Sequence, residues 1–167
     1  SINSVFSLHY FFASNTVKNI LSVLYNKGIS AAALSYGEIL NGFEPASVKI
    51  LHPPSFASDI TTTNDNSCVL KIDYCGHSLL LCADIEEKGI ESALLKPSEI
   101  RSNIIQIPHH GSLINNLEAF INAVQPAYAF INSSDSIVSN KTTDILQGYN
   151  IITLQPHREG AVTFTID

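Results

Sequence analysis

IIQIPHHGS, residues 104–112, is an apolar run that ends at a proline and passes at once into two histidines, a glycine and a serine. The run has the length and composition of a buried strand, and Pro108 stops it. His109 and His110 are two of only six histidines in 167 residues, and they stand where the strand gives way to a loop. LLLCAD, residues 79–84, ends in the same manner, in Asp84. Continuous apolar strands without alternation belong to a sheet covered on both faces. Between the two runs, EEKGIESALLKP reads as a helix closed by Pro97. Strand, helix and strand in alternation define an α/β class.

The same reading extends outward. Asn15-Thr16 opens the amphipathic stretch VKNILSVLYNK and Gly28 ends it, which predicts a helix. Ile29 to Leu34 reads as a strand, and SVKILH as another, stopped by Pro53-Pro54. SFASDITTTNDN is the longest irregular stretch, of a length that often carries function. SCVLKIDY and SLLLCAD flank Cys75-Gly76-His77, the pattern of a hairpin. Downstream, Asn116 begins the helix LEAFINAV and Pro126 ends it. AYAFIN then reads as a strand, TTDILQGY as a short helix, and NIITL and AVTFTID as the last strands.

The composition is 45% hydrophobic and 14% charged, that of a globular chain, and the length suits a single domain over residues 1–167. A formal charge of −6 disfavours a broad basic surface for nucleic acid. It leaves room for a metal site, where ions supply the positive charge. No apolar run approaches the ~18 residues of a membrane span, so the chain reads as a domain outside the bilayer. Cys68, Cys75 and Cys82 lack the paired spacing of a zinc or redox motif and read as small buried hydrophobes. There is no methionine and the chain opens on Ser1-Ile2-Asn3, so the expectation is a piece of something longer.

Asp84 and His109 both lie just past the ends of apolar strands, the edge where α/β sheets bind ligands. A carboxylate and an imidazole converging there suit a divalent ion such as zinc or manganese. Gly111 lets backbone pass close to a bound group. Ser112 is placed to donate to a phosphate oxygen or to cap the next helix. The blander alternative is that Asp84 caps the helix after it and that His109 and His110 are loop histidines bonded to backbone. Two ligands also fall short of the three or four that a metal needs. His9, His52, His77 and His157 form no ligand pair by spacing, and His52, before Pro53-Pro54, reads as structural.

NDNSCVLKI, LLLCADIEEKGIESALL and IPHHGS, in that order, with LHPP upstream and PHREGAVTF at the close, resemble the C-terminal metallo-β-lactamase-like domain of the ComEC DNA-internalisation competence family. The resemblance implies an αββα sandwich, present here as its C-terminal portion. It implies that Asp84 and His109 are metal ligands, that His110 is a ligand or phosphate contact and acts with Ser112 in catalysis, and that Asn64, Asn66 and Ser67 face the same pocket. The family's whole protein is an inner-membrane channel for single-stranded DNA. This domain would lie on the periplasmic or extracellular side as a metal-dependent phosphodiesterase degrading the strand left behind. The alternative is a non-catalytic module that scaffolds or gates the channel. The expected partners are DNA, the rest of the parent membrane protein and a second copy of the chain.

The departures are specific. The family's HxHxDH motif, expected ahead of the first helix, does not occur in these residues. Ala83 stands where the family has glycine, Leu113-Ile114-Asn115-Asn116 where many members have serines, and Ser139-Asn140-Lys141 where many have His-Pro. The zinc or manganese site is therefore expected to be incomplete in this chain.

Overall fold

The structure, a computed structural model, describes residues 4–8, 15–54, 64–134 and 136–165. It opens with a parallel pair, β1 (Ser4–Leu8) beside β2 (Ser30–Leu34), with helix α1 (Asn15–Asn26) between them in sequence. Then β3 (Ile39–Leu40), β4 (Ser47–His52), β5 (Val69–Tyr74) and β6 (His77–Leu81) run antiparallel in succession. From β6 onward the connections become helical and the pairing parallel. Helices α2 (Glu87–Leu94) and α3 (Pro97–Ile100) lead to β7 (Ile104–Gln106), and α4 (Leu117–Val124) leads to β8 (Tyr128–Phe130). Helix α5 (Asn140–Gly148) leads to β9 (Ile152–Leu154), and α6 (Pro156–Glu159) follows. Strands β3 to β9 form one seven-stranded sheet in sequence order.

Register decides which face is core. Leu80 pairs with Ile105, and Ile105 with Ala129, so the three share one face, and all are fully buried. Against them pack Ile90 and Ala93 of α2, Leu117, Phe120, Ile121 and Val124 of α4, and Leu146 of α5. Each fully buried Leu, Ile or Phe contributes about 1.5–3 kcal/mol, so this face holds the domain together. On the other face β3, β4 and β5 form a smaller core, in which Leu40, Val48 and Ile50 are buried and Leu34 of β2, Leu70 and Ile72 pack against them. Further along that face Leu79, Leu81, Ile104, Tyr128, Phe130, Ile152 and Leu154 are half-buried or exposed.

Pro97 stands two residues past the Leu95 C-cap of α2, as expected of a proline that closes a helix, and it also opens α3, where its missing N–H is harmless. Two sequence expectations need correction. AVTFTID is not a strand over its described part, residues 161–165. Instead Phe164 lies edge-on to Tyr128 at 5.8 Å and near Phe130 at 6.5 Å, covering part of the second sheet face. Of the cysteines, Cys82 is buried and Cys68 partly so, but Cys75 is exposed in the β5–β6 turn. His9 and residues 55–63 of the long polar loop lie outside the described residues.

Because β6 to β9 are parallel, their C-terminal ends share one edge. Asp84 follows β6, His109 follows β7, Asn132 follows β8 and Gln155 follows β9.

Candidate functional site

At that edge the backbone takes an unusual path. His109, His110 and Gly111 have φ of 48°, 57° and 78°, three consecutive left-handed residues. The N–H of Ser112 donates to the His109 carbonyl at 3.0 Å and closes the turn. Left-handed backbone costs roughly 1–2 kcal/mol for each residue that is not glycine. The turn is braced from below: a Cβ on Gly111 would lie 2.9 Å from Cγ2 of Ile131. Ala83 is also left-handed, at φ 49°, which gives a physical reason for the glycine that the resembled family has there. Its carbonyl accepts from the His109 N–H at 3.0 Å, tying the end of β6 to the turn. Gln106 reinforces this tie, its Oε1 accepting from the N–H groups of Cys82 and Ala83 at 3.2 Å each.

The side chains pair crosswise. His110 Nε2 lies 3.3 Å from Asp84 Oδ1, and His109 Nδ1 lies 3.2 Å from Glu86 Oε1. His110 Nδ1 sits 2.8 Å from the Asn132 carbonyl, which can only accept, so that nitrogen carries hydrogen. Its Nε2 is then a lone-pair nitrogen facing a carboxylate unless the ring is protonated. In His109 the carboxylate of Glu86 takes the Nδ1 hydrogen, which leaves Nε2 as the lone-pair nitrogen. Glu86 is itself fixed by Asn64 Nδ2 at 3.0 Å. Half-exposed ion pairs of this kind are worth about 0–1 kcal/mol, less than the two left-handed histidines cost. Stability alone does not explain the arrangement, and strain of this kind collects at functional sites.

The blander alternatives for Asp84 and Ser112 do not describe the structure. Helix α2 has Glu86 at its N-cap with no side-chain cap bond, and the carboxylate meeting its first turn is the buried Asp65, whose Oδ1 accepts from Gly89 N at 2.9 Å. Ser112 caps no helix, since α4 starts after Asn116. His52 is structural, as read: it is fully buried, and Nδ1 lies 3.0 Å from the Ser67 carbonyl. Burial lowers its pKa, against the opposing pull of the Ser67 carbonyl and Asp65. Burial raises the Cys68 thiol to about 11 and drives the Cys82 thiol higher still.

Glu86, Gln106 and the Asn132 carbonyl were not expected from sequence. Glu86 sits two residues past Asp84 on an extended backbone (φ −114°), and that spacing was the available signal.

The donor chemistry suits a divalent ion. Ligating histidines usually give their second ring nitrogen to a carboxylate or carbonyl, as His109 does to Glu86 and His110 to Asn132. Two ligands bonded tetrahedrally at about 2.0–2.2 Å lie about 3.3–3.6 Å apart. The 3.3 Å between His110 Nε2 and Asp84 Oδ1 therefore has the span of a shared ion as well as that of a hydrogen bond. The donor count is lower than a cage requires: among the described residues no group of three or more His, Cys, Asp or Glu could hold a metal ion.

The chain is 24% identical over 151 residues to ComE operon protein 3 of Bacillus subtilis (strain 168), covering 88% of this chain and 19% of that protein. It is 32% identical over 106 residues to Competence protein ComA of Neisseria gonorrhoeae, covering 60% and 15%. It is 30% identical over 109 residues to the uncharacterized protein YcaI of Escherichia coli (strain K12), covering 61% and 14%. The chain thus spans less than a fifth of each of these relatives. No family model matches. Among solved structures, the CmlA β-hydroxylase E377D mutant aligns with a TM-score of 0.51 at 12% identity, over 80% of this chain and 34% of that one.

The seven-stranded mixed sheet and this neighbour define the metallo-β-lactamase fold class. Within that class, the chain is similar to the competence proteins ComE operon protein 3 and ComA over 88% and 60% of its length.

Proposed function

We propose that residues 1–167 are the C-terminal portion of a metallo-β-lactamase-fold domain in a DNA-uptake channel protein, and that the complete domain is a metal-dependent phosphodiesterase acting on the strand that is not transported. The observation that carries this is the left-handed His-His-Gly turn at the sheet edge, with both imidazoles oriented through Nδ1 and Asp84 facing His110. The likeness to ComE operon protein 3 and Competence protein ComA supports the setting. Half-buried apolar side chains across the second face of the sheet support the reading as one portion of a sandwich. The parent protein belongs in the inner membrane, with this domain on the periplasmic or extracellular side. Among the described residues no helix is long and apolar enough to cross a membrane.

A bound zinc or manganese ion lowers the pKa of water and polarises phosphoryl oxygens. Asp84 and His109 hold it on this side of the site. Glu86, fixed by Asn64, keeps the His109 ring in the tautomer that presents Nε2. His110 stands beside Asp84 either as a further ligand or as a contact to the phosphate, and its ring is aimed by the Asn132 carbonyl. The Ser112 hydroxyl, which has no hydrogen-bond partner among the described residues, donates to a phosphate oxygen. The shortage of ligands among the described residues favours a second reading, a non-catalytic module that scaffolds or gates the channel.

Nuclease assays on a longer parent domain, with the upstream HxHxDH segment restored if it exists, separate the two, using single- and double-stranded DNA with added manganese or zinc. The enzyme reading expects cleavage that disappears in Asp84→Ala and His109→Ala while the melting curves hold, and a milder loss in Ser112→Ala. Cleavage undiminished in both ligand variants, or none in the parent, supports the scaffold.

A further inference from the structure

The sheet edge that carries the His-His-Gly turn continues into a polar cleft of about 360 Å³ between the end of β9 and helix α5. Its lining includes Thr153 of β9, Gln155 just after it, Asn140, Thr143 and Gln147 of α5, and Arg158 of α6. The cleft shares a wall with the candidate site. Val138 lines it and lies 3.4 Å from the point where a Cβ on Gly111 would stand, and the N–H of Ser139 donates to the Gly111 carbonyl at 2.9 Å. The N–H of Ile131 donates to the Leu154 carbonyl at 3.0 Å, fixing the end of β9 beside the strand that orients His110.

The lining chemistry is specific. Amides and hydroxyls supply both donors and acceptors, the groups that read a nucleobase edge. Arg158 is the one charged side chain among the described lining residues, so the cleft escapes the repulsion that a net charge of −6 imposes elsewhere. It has neither the run of cations nor the aromatic platforms of a groove that tracks a backbone without regard to base. Gln155 is buried and its Oε1 is closed off from the cleft, so the base contacts fall to the accessible side chains of Gln147 and Thr153. The volume lies at the small end of ligand pockets, sufficient for one unpaired base with its sugar and too small for a base pair.

We infer that this cleft is a nucleotide-recognition subsite, holding the base and sugar of single-stranded nucleic acid next to the phosphate at the His109–Ser112 turn. The inference rests on the phosphodiesterase reading above and adds base selectivity to it.

The test uses the 167-residue chain and fluorescence anisotropy. The probes are short single-stranded deoxyoligonucleotides of each base and an abasic analogue with the same number of phosphates. At least one base-bearing probe is expected to bind roughly fivefold or more tighter than the abasic one, the discrimination that a bidentate amide–base contact supplies. Gln147→Ala and Thr153→Val, at positions that are not in the core, should erase that ratio and leave abasic binding unchanged. Equal binding of all probes, or a ratio that survives both substitutions, overturns the inference while cleavage by the parent domain leaves the phosphodiesterase reading standing. Base preference without cleavage supports recognition in the cleft and removes the catalytic reading. Failure to bind any probe overturns the inference, while the phosphodiesterase reading stands or falls with cleavage by the parent domain.

Discussion

Replacing Gly111 with alanine tests whether the His-His-Gly turn is held by the core beneath it. Two costs add. Alanine at φ 78° pays the left-handed penalty, about 1–2 kcal/mol. Its Cβ would also stand 2.9 Å from Cγ2 of Ile131 and 3.4 Å from Cγ1 of Val138, and Ile131 is fully buried and cannot swing away. Overpacking of that kind costs about 1–3 kcal/mol. Loss of glycine's freedom in the unfolded chain returns about 0.4–1 kcal/mol. The net expectation is a loss of about 1–4.6 kcal/mol, or a fall in Tm of roughly 2–18 °C for a chain of this size. Gly76 supplies the control. Its φ is 79°, nearly identical, but a Cβ there meets nothing within 4 Å, so Gly76→Ala carries only the backbone cost. Urea and thermal unfolding followed by circular dichroism measure both variants. Equal losses for the two would show that packing against Ile131 does not fix the turn.

Other perturbations have equally definite outcomes. The folded-state pKa of His52 lies below its ordinary value of about 6.5 because the ring is buried. Below that pH the unfolded chain takes up a proton that the folded chain refuses, so its contribution makes stability fall with pH until the lowered pKa is reached. The slope from this residue is at most ~1.4 kcal/mol per pH unit, and His52→Gln should remove that component from unfolding curves taken across the window. Asp65→Ala deprives the first turn of α2 of its buried carboxylate and should cost roughly 1–2 kcal/mol in urea unfolding; an unchanged midpoint would mean the contact is dispensable. The second face of the sheet, where the row Leu79, Ile104, Tyr128 and Ile152 is half-buried or exposed, should drive association with rising concentration. A strictly monomeric chain in light scattering would mean that face needs no cover.

The elements with strong local signals were legible. Helix α4 occupies Leu117–Val124, between the expected Asn116 and Pro126, and β4 occupies the expected SVKILH. That Asp84 and the histidine turn share one edge followed from strand ends alone, because parallel strands must bring their C-termini together. The histidine that Asp84 faces, however, is His110, while His109, the expected partner, faces Glu86. The partners within the site were not legible. Glu86 lies in an acidic run that looks like a helix surface, the Asn132 acceptor is a backbone carbonyl with no sequence signature, and Asp65 reaches Gly89 across 24 residues. Nothing in the pair His109-His110 announces left-handed backbone; only the glycine after it hints at the turn. VTFT has the alternation of a strand, but Phe164 packs on Tyr128 and Phe130, where it has no ladder to join among the described residues.

The claim that Asp84 and His109 are part of a metal site is tested most directly by calorimetric titration of zinc and manganese. The titrations use the 167-residue chain, its Asp84→Ala and His109→Ala variants, and a longer parent domain with the upstream HxHxDH segment restored if it exists. The account predicts weak or undetectable binding by the chain, tight binding by the parent domain, and loss of that tight binding when either ligand is replaced in it. Tight, stoichiometric binding by the chain alone, or binding by the parent domain that survives both substitutions, would contradict it.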